Sequence, residues 1–264
     1  MTTMTEANIK LGVVLAGAEA QQSSLSVETL AANGLIPDSI ETGMAAQAIA
    51  TGAIGKEVAG WKIAMNNGRA VAAPLLDLYD TAAEGPLTVP KPGTVAVEIE
   101  ICFVLANDLP ALPMEQSYTR DVIIENIASV HLGAELVSYR LVEENKAPFP
   151  LFLADRLGNH SFVLGPEIEA STLQAVALQS PDLPPLTLEA DEDVLFAAVP
   201  KHPQVDPLVP LVDYANAQID NLGGLKRGQV ITTGSLCGLL RLSDHTTVKA
   251  TWAEIGALEI TLPV

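Results

Sequence analysis

The chain of 264 residues has few basic side chains and few cysteines, and each shortage excludes a class of protein. Its 14 lysines and arginines stand against 32 aspartates and glutamates, which gives a formal net charge of −18. Nucleic acids and anionic membrane surfaces are bound by basic surface, so this balance argues against both partners. The two cysteines, Cys102 and Cys237, are too few for a disulfide framework or a thiolate zinc site.

Common cofactor motifs and membrane-spanning runs are also missing from the sequence. The four histidines show no HExxH pairing, and neither GxGxxG nor GxxxxGK[ST] occurs. No apolar run approaches the roughly 20 residues that span a bilayer. Any metal is therefore expected to have oxygen ligands, which favours Mg²⁺, Mn²⁺ or Ca²⁺. We expect the protein to be cytoplasmic.

The pattern along the chain changes from helical to strand-like. Residues 1–55 are rich in alanine and leucine, and Asp38 or Ser39 is a suitable N-cap for a helix that begins there. From residue 58 onward, short apolar segments alternate with proline and glycine, with further helices predicted from Thr119 and within residues 208–224. This order indicates an α+β fold with a helical N-terminal segment at 1–55 and a strand-rich domain at 56–264.

Two glutamates interrupt an apolar run, VAVEIEICFVL at residues 95–105. In a strand, residues two apart lie on one face, so Glu98 and Glu100 share a side. A face exposed to water would explain the pair, and so would a divalent cation that removes the repulsion between the two carboxylates. Glu135, in the apolar run HLGAELV, offers a third carboxylate. Three carboxylates would supply half of an octahedral oxygen shell.

Six short motifs follow one another along the chain. They are GWKIA (60–64), VEIEICFVLANDL (97–109), AELVSYR (134–140), ADRLGNHSFVLG (154–165), DPLVPLVDYAN (206–216) and LKRGQVITTGS (225–235). This order resembles the 2-keto-4-pentenoate hydratase / 4-oxalocrotonate decarboxylase family of the fumarylacetoacetate hydrolase superfamily. The resemblance implies mixed, curled β-sheets with flanking helices, and it makes residues 56–264 a catalytic domain of the fumarylacetoacetate hydrolase type.

The resemblance also implies a metal site and a proton-transfer residue. Glu98, Glu100 and Glu135 match the family's metal ligands and would hold Mg²⁺ or Mn²⁺. Lys62 matches the lysine that lies near the family's bound substrate, and its pKa would be tuned by burial and by the nearby acids. Asp155, in ADRLGN, is the second candidate for proton transfer.

Further family positions fall on a turn and on an arginine. The TTGS turn offers Thr233, Gly234 and Ser235 to a substrate carboxylate, because backbone N–H groups and hydroxyls can hold an anion. Arg140, which follows the third glutamate, is expected to pair with an acid and to have a structural role.

Departures from the family pattern fall on the substrate side. Arg156 and Gly158 stand where the family has asparagine and serine, and Leu75 stands where the hydratases have aspartate. Asp77 and Asp80 are the candidates to replace that aspartate. The metal side of the pattern is intact.

The resemblance implies a metal-dependent lyase, a hydratase of 2-hydroxy-2,4-dienoate or 2-oxo-4-enoate acids in the catabolism of aromatic-type compounds. Three alternatives stay open: decarboxylation of a 4-oxalocrotonate-like 2-oxo diacid, C–C hydrolysis of an acylpyruvate, and a non-catalytic family member. Hydrolysis usually needs a His–Glu pair, for which only His131 and His160 lie near the motifs. The resemblance also implies a homo-oligomer, with association to another enzyme of the pathway as a further expectation.

Overall fold

The computed structural model describes residues 5–81, 87–90 and 96–263. Its α-helices are α1 (Glu6–Ala20), α2 (Val27–Ala32), α3 (Ile40–Ile54), α4 (Arg120–Glu125), α5 (Phe149–Ala154), α6 (Ser171–Ala177) and α7 (Val209–Asn216). Its strands are β1 (Gly60–Asn66), β2 (Arg69–Leu75), β3 (Leu78–Asp80), β4 (Ala96–Leu105), β5 (Ile127–Val137), β6 (Asn159–Glu167), β7 (Leu186–Ala190), β8 (Asp193–Ala198), β9 (Val230–Ser235), β10 (Leu240–Arg241), β11 (Thr247–Trp252) and β12 (Gly256–Thr261). Single 3₁₀ turns cover Glu144–Lys146 and Arg156–Gly158.

The strands form a large mixed sheet and a smaller antiparallel one. The large sheet runs β2-β1-β9-β4-β5-β6-β3, and β10 adds to β4. Its β1–β9 and β3–β6 pairs are parallel, and its other pairs are antiparallel. The smaller sheet runs β12-β11-β7-β8. Strand β4 therefore lies inside the large sheet, with neighbours on both sides.

The main hydrophobic core takes one face of β4. Val97, Ile99, Ile101 and Phe103 are fully buried and belong to one apolar cluster with residues of the smaller sheet, such as Trp252. Because side chains alternate along a strand, this arrangement sends the even-numbered residues to the other face. The two glutamates of β4 are therefore directed away from the main core.

The N-terminal helices pack against the domain through a second apolar cluster. Leu11 and Leu15 of α1, Ala46 of α3 and Leu151 of α5 are its central members. The helices α1 and α3 approach closely at Gly12, where an added Cβ would lie 2.5 Å from Cβ of Ile49. A further cluster groups Met44 of α3 with Val71 and Ala73 of β2, so buried apolar contacts also join the N-terminal segment to the sheet.

The predicted α+β class is confirmed, and several predicted boundaries agree with it. Ser39 is the N-cap of α3 in a reciprocal capping box with Thr42, and Thr119 is the N-cap of α4. The division into 1–55 and 56–264 stays a prediction. It falls at Gly55, the left-handed C-cap of α3, and the first four residues of the segment lie outside the described residues. None of the described helices is long and apolar enough to cross a membrane.

The helix predicted within residues 208–224 is shorter than expected and ends at Asn216. Beyond that residue, two polar side chains accept hydrogen bonds from backbone N–H groups that a longer helix would use. Asp220 Oδ1 accepts hydrogen bonds from the N–H groups of Leu222 and Gly224, and Gln218 Oε1 accepts one from Leu225 N–H. Such local side-chain acceptors favour turns over continued helix.

Candidate metal and substrate site

Three carboxylates meet on the face of the large sheet that points away from the main core. Glu98 of β4 lies directly opposite Glu135 of β5, and Glu100 lies two residues further along β4. One oxygen from each falls within 4.8 Å of the others. Glu100 and Glu135 are fully buried, and the side chain of Glu98 is 16% exposed. We call these three glutamates the acidic trio.

Strand β9 holds Glu100 in place from the neighbouring strand. Its Oε2 accepts hydrogen bonds from the Thr232 hydroxyl and from Gly234 N–H, the latter at 2.9 Å. A register shift between β4 and β9 at this point brings the Gly234 amide towards the carboxylate. Gly234 has φ +142°, and a Cβ there would lie 2.8 Å from Cγ of Pro203. This position therefore requires glycine.

Lys62 supplies the positively charged side chain of the site. Strand β1 pairs in parallel with β9, which sets Lys62 beside Thr232. Its Nζ donates to Glu135 Oε1 at 2.9 Å and to Glu98 Oε2 at 3.4 Å. Burial alone would lower the pKa of Lys62, but the charges of Glu135, Glu98 and Glu100 outweigh burial and raise it. Lys62 is therefore an ammonium at neutral pH.

Two members of the acidic trio are electrostatically strained without a cation. Burial, together with the charges of Glu135 and Glu98, raises the pKa of Glu100 to about 8. Burial also raises the pKa of Glu135, although Lys62 opposes this shift. When all groups are ionised, three carboxylates against one ammonium leave two negative charges in a buried place, which is costly.

The acidic trio fits a hard divalent cation. Among the described residues, no hydrogen-bond donor reaches Oε1 of Glu100, although this atom is buried. A buried carboxylate oxygen without a donor is costly and is suited to a metal. Oxygen-only donors fit Mg²⁺ or Mn²⁺, and two positive charges would balance the excess negative charge.

Asn159 is a site residue that sequence reasoning missed. Its Nδ2 donates to Glu135 Oε1 at 3.0 Å, and the residue is fully buried. No hydrogen-bond donor within the described residues reaches its Oδ1. A bulge between β5 and β6 pairs Asn159 with Val137, on the same face as Glu135. Only the ADRLGN motif pointed to this segment, and it gave no reason to choose the asparagine.

Asp155 pairs with Arg140 rather than with Lys62 or the acidic trio. Arg140 Nε donates to its Oδ1 at 2.5 Å, and Arg140 N–H donates to its Oδ2. Arg140 Nη1 also donates to the backbone carbonyl of Asn159 at 2.9 Å. The structural role expected for Arg140 agrees with these contacts. They do not favour a proton-transfer role for Asp155, which stays a prediction.

Arg156 extends this ion network to the N-terminal segment. Its Nη2 donates to Glu19 of α1 at 2.6 Å, and both guanidinium groups of the network, on Arg140 and Arg156, are buried. The first helix is therefore bound electrostatically to the loop that carries Asn159. The loop itself is unusual, because Arg156 and Leu157 both have positive φ, at 52° and 53°.

The predicted substrate turn is largely engaged with the protein. The Thr233 hydroxyl donates to Pro207 O at 2.7 Å, and His202 Nε2 lies 3.4 Å from it. The Ser235 hydroxyl donates to Gly238 O at 2.9 Å. Thr232, which sequence reasoning passed over, is the hydroxyl of this turn that contacts the acidic trio. Substrate binding by Thr233, Gly234 and Ser235 stays a prediction.

The two aspartates offered as replacements for the missing family aspartate do not make hydrogen bonds to Lys62. Both oxygens of Asp77 accept from Lys56 Nζ at 2.7 Å. Asp77 lines a cavity of about 740 Å³ next to the end of α1, and the acidic trio is not among the lining residues. Asp80 is exposed at the end of β3.

Comparison with known proteins identifies the fold. No family model matches the sequence, and no curated protein is similar to it. Two structures of 4-oxalocrotonate decarboxylase from Pseudomonas putida G7, one with calcium and acetate and one with magnesium and adipate, each align over 99% of both chains with a TM-score of 0.72 and 16% identity.

More distant structures agree with this result. A 2-hydroxyhepta-2,4-diene-1,7-dioate isomerase from Mycobacterium marinum aligns over 78% of this chain and 74% of its own, with a TM-score of 0.50 and 18% identity. A yeast fumarylacetoacetate hydrolase family protein aligns over 76% and 92%, with a TM-score of 0.50 and 13% identity. The chain therefore has the fold of the fumarylacetoacetate hydrolase superfamily, as the sequence resemblance implied.

Proposed function

We propose that the protein is a divalent-metal-dependent lyase of the 2-keto-4-pentenoate hydratase / 4-oxalocrotonate decarboxylase family. Its substrates would be 2-hydroxy-2,4-dienoate or 2-oxo-4-enoate acids, and hydration is the reaction we place first. The observation that carries the proposal is the acidic trio, whose oxygens converge within 4.8 Å beside a buried lysine. The sequence motifs and the shared fold both support the same family.

Glu98, Glu100 and Glu135 would hold Mg²⁺ or Mn²⁺. The bound cation would act as a Lewis acid that stabilises negative charge developing on the substrate's oxygen atoms. The protein supplies orientation: Thr232 and Gly234 fix Glu100, and Asn159 fixes Glu135. Preorganised ligands of this kind lose little entropy when the cation binds.

Lys62 is the group in this site best placed to move a proton. Its Nζ lies against Glu135 and Glu98, and its side chain is 14% exposed, so it borders the open side of the acidic trio. As an ammonium it can stabilise an anionic oxygen of the substrate. A divalent cation on the acidic trio would offset the carboxylate charges that raise the pKa of Lys62, and Nζ could then pass a proton to that oxygen. General acid–base catalysis by such a group typically raises the reaction rate by about 10²- to 10⁴-fold.

Decarboxylation of a 2-oxo diacid is the second candidate. It is favoured by the alignment with 4-oxalocrotonate decarboxylase over 99% of both chains. C–C hydrolysis has less support. His131 shares its ring nitrogens between Gly165 O and the Ser129 hydroxyl, and His160 contacts the Ser161 hydroxyl, so neither forms a His–Glu pair with the acidic trio. A non-catalytic role would leave cation binding without turnover.

The test is the metal-dependent loss of ultraviolet absorbance of 2-hydroxypenta-2,4-dienoate and of 2-hydroxymuconate. We expect loss with Mg²⁺ or Mn²⁺ and none with excess EDTA. Glu135→Gln should remove the activity, and Glu189→Gln, a half-buried glutamate of β7, should retain it. Product analysis separates the reactions, because decarboxylation releases CO₂ and hydration does not. Full activity in EDTA would contradict the metal role.

A cytoplasmic location, a homo-oligomer and association with another enzyme of the pathway are part of the same proposal. They derive from the family resemblance, and the acidic net charge and the lack of a membrane-spanning helix in the described residues are compatible with them.

A further inference from the structure

Arg241 shares the face of the sheet that carries the acidic trio. In the short antiparallel pair between β10 and β4, Arg241 lies directly opposite Ala96, which in turn lies opposite Val137. Directly opposite residues of antiparallel strands point to the same side, and residues 96, 98 and 100 of β4 alternate onto one face. Arg241 therefore lies on the strand next to β4, level with the residue two positions before Glu98, and on the same side of the sheet.

Tyr139 lies within electrostatic range of both Arg241 and the acidic trio. Burial raises the pKa of its hydroxyl to about 12, and charges from both sides act on it, namely those of Lys62, Glu144, Glu98 and Arg241. Its ring packs over Gly158, where an added Cβ would lie 2.6 Å from Cε1 of Tyr139. We call Tyr139, Arg241 and Glu144, which act on one another electrostatically, the rim of the site.

The guanidinium of Arg241 keeps donors available at this rim. Its Nη1 donates to Glu144 Oε1 at 3.0 Å, and Nη2 donates to Glu144 Oε2. A guanidinium has five N–H donors in a planar fork, so a carboxylate on the two Nη atoms leaves the Nε side free to bind another. The side chain is 54% exposed, so solvent reaches much of it.

The charges of the site favour this use of Arg241. Lys62 and a divalent cation together balance the acidic trio and leave no surplus positive charge for a second carboxylate. Arg140 and Arg156 pair with Asp155 and Glu19 and are buried, whereas Arg241 pairs with Glu144 and keeps 54% of its side chain exposed. A second carboxylate brought to this rim would meet the guanidinium of Arg241.

We propose that Arg241 is a specificity-determining residue, which binds the distal carboxylate of a dicarboxylic 2-oxo acid whose other end lies at the acidic trio. This inference rests on the proposed function, since it assumes that the trio and its cation bind the 2-oxo acid end. Within that function it favours 2-oxo diacids over monocarboxylic dienoates, and what it adds is the residue that would distinguish the two.

The test compares two six-carbon acids that differ only at the distal end, 2-oxoadipate and 2-oxohexanoate. Their dissociation constants are measured by titration calorimetry on the Mn²⁺-loaded protein. Wild type should bind the diacid about tenfold more tightly, as expected for a partly exposed charge-assisted pair. Arg241→Met should reduce this ratio to about one, and Arg241→Lys should give an intermediate ratio because the fork is lost.

Lys146→Met is the matched control. Lys146 is exposed and its charge acts on the same Glu144, so this variant removes one positive charge from the same rim. It should keep the tenfold preference. A wild type that binds the two acids equally, an Arg241→Met variant that keeps the preference, or a Lys146→Met variant that loses it equally would overturn the assignment of Arg241. If neither acid binds wild type, the proposed function itself fails and this inference fails with it.

Discussion

Asn159→Ala removes a buried donor from one ligand of the acidic trio and should weaken metal binding. The amide donates to Glu135 Oε1 at 3.0 Å, and Asn159 has no exposed surface, so water cannot replace the lost donor without entering the site. A hydrogen bond to a charged group contributes about 1.5–3 kcal/mol. At about 1.4 kcal/mol for each factor of ten, the loss corresponds to roughly 10- to 100-fold in the metal dissociation constant.

An independent consideration gives the same range. Residues that orient metal ligands from behind typically cost about 10- to 100-fold in affinity when they are removed. The assay is titration of the metal-free protein with Mn²⁺, followed by calorimetry or by electron paramagnetic resonance of the free ion. Asn8→Ala is the control, because Asn8 is also a buried amide, 5% exposed and on α1, with an Nδ2 that makes no hydrogen bond to the described residues.

The expected pattern is a weaker Mn²⁺ complex in Asn159→Ala with the affinity of Asn8→Ala unchanged. Thermal unfolding of the metal-free proteins checks that both variants fold. An Asn159→Ala variant that folds and binds Mn²⁺ as tightly as wild type would refute the reasoning, because Glu135 would then not depend on its donor.

Three further perturbations test other parts of the site. Lys62→Met removes the positive charge beside Glu135, so calorimetry should show tighter Mn²⁺ binding than in wild type. Turnover should fall by roughly 10²-fold or more. Weaker Mn²⁺ binding would contradict the role of the lysine charge. Arg140→Leu leaves the carboxylate of Asp155 buried without its ion-pair partner. The free energy of unfolding measured in urea should fall by about 3–5 kcal/mol, and a fall below about 1 kcal/mol would contradict a buried ion pair. Burial lowers the pKa of His202 to about 4. The unfolded chain therefore binds more protons between about pH 6.5 and 4, and folding stability falls as pH falls through this window. When urea unfolding is compared at pH 6.5 and pH 4, the free energy of unfolding should fall less in His202→Gln than in wild type, with a difference of up to roughly 3 kcal/mol. Equal falls in the two proteins would contradict the lowered pKa of His202.

Strand periodicity is a local property, so the sequence could predict that Glu98 and Glu100 share a face. Glu135 joined them through the family resemblance, and the structure brings the three carboxylates together, while their role as metal ligands stays a prediction. The helix before residue 55 and the N-caps at Ser39 and Thr119 were equally local and could also be predicted. These features depend on neighbours within a few residues.

The residues that support the ligands could not be predicted, because they depend on register. Thr232 reaches Glu100 through a register shift between β4 and β9, and Asn159 reaches Glu135 through a bulge between β5 and β6. A one-residue slip in either place would turn the side chain to the other face. For the same reason Asp155, conspicuous in the motif, is directed to Arg140, whereas the inconspicuous Asn159 contacts the ligand.

The parallel pairing of β1 with β9 has a consequence for how the protein folds. It places Lys62 beside Thr232, so the two sides of the site are separated by most of the chain. Contacts of such long sequence separation form slowly, because a large loop must close before they contribute any stability. We therefore expect Lys62 to reach the site late in folding, after Glu98 and Glu135 have met across the neighbouring strands β4 and β5. A cation that needs the complete site should slow unfolding and leave the rate of folding nearly unchanged.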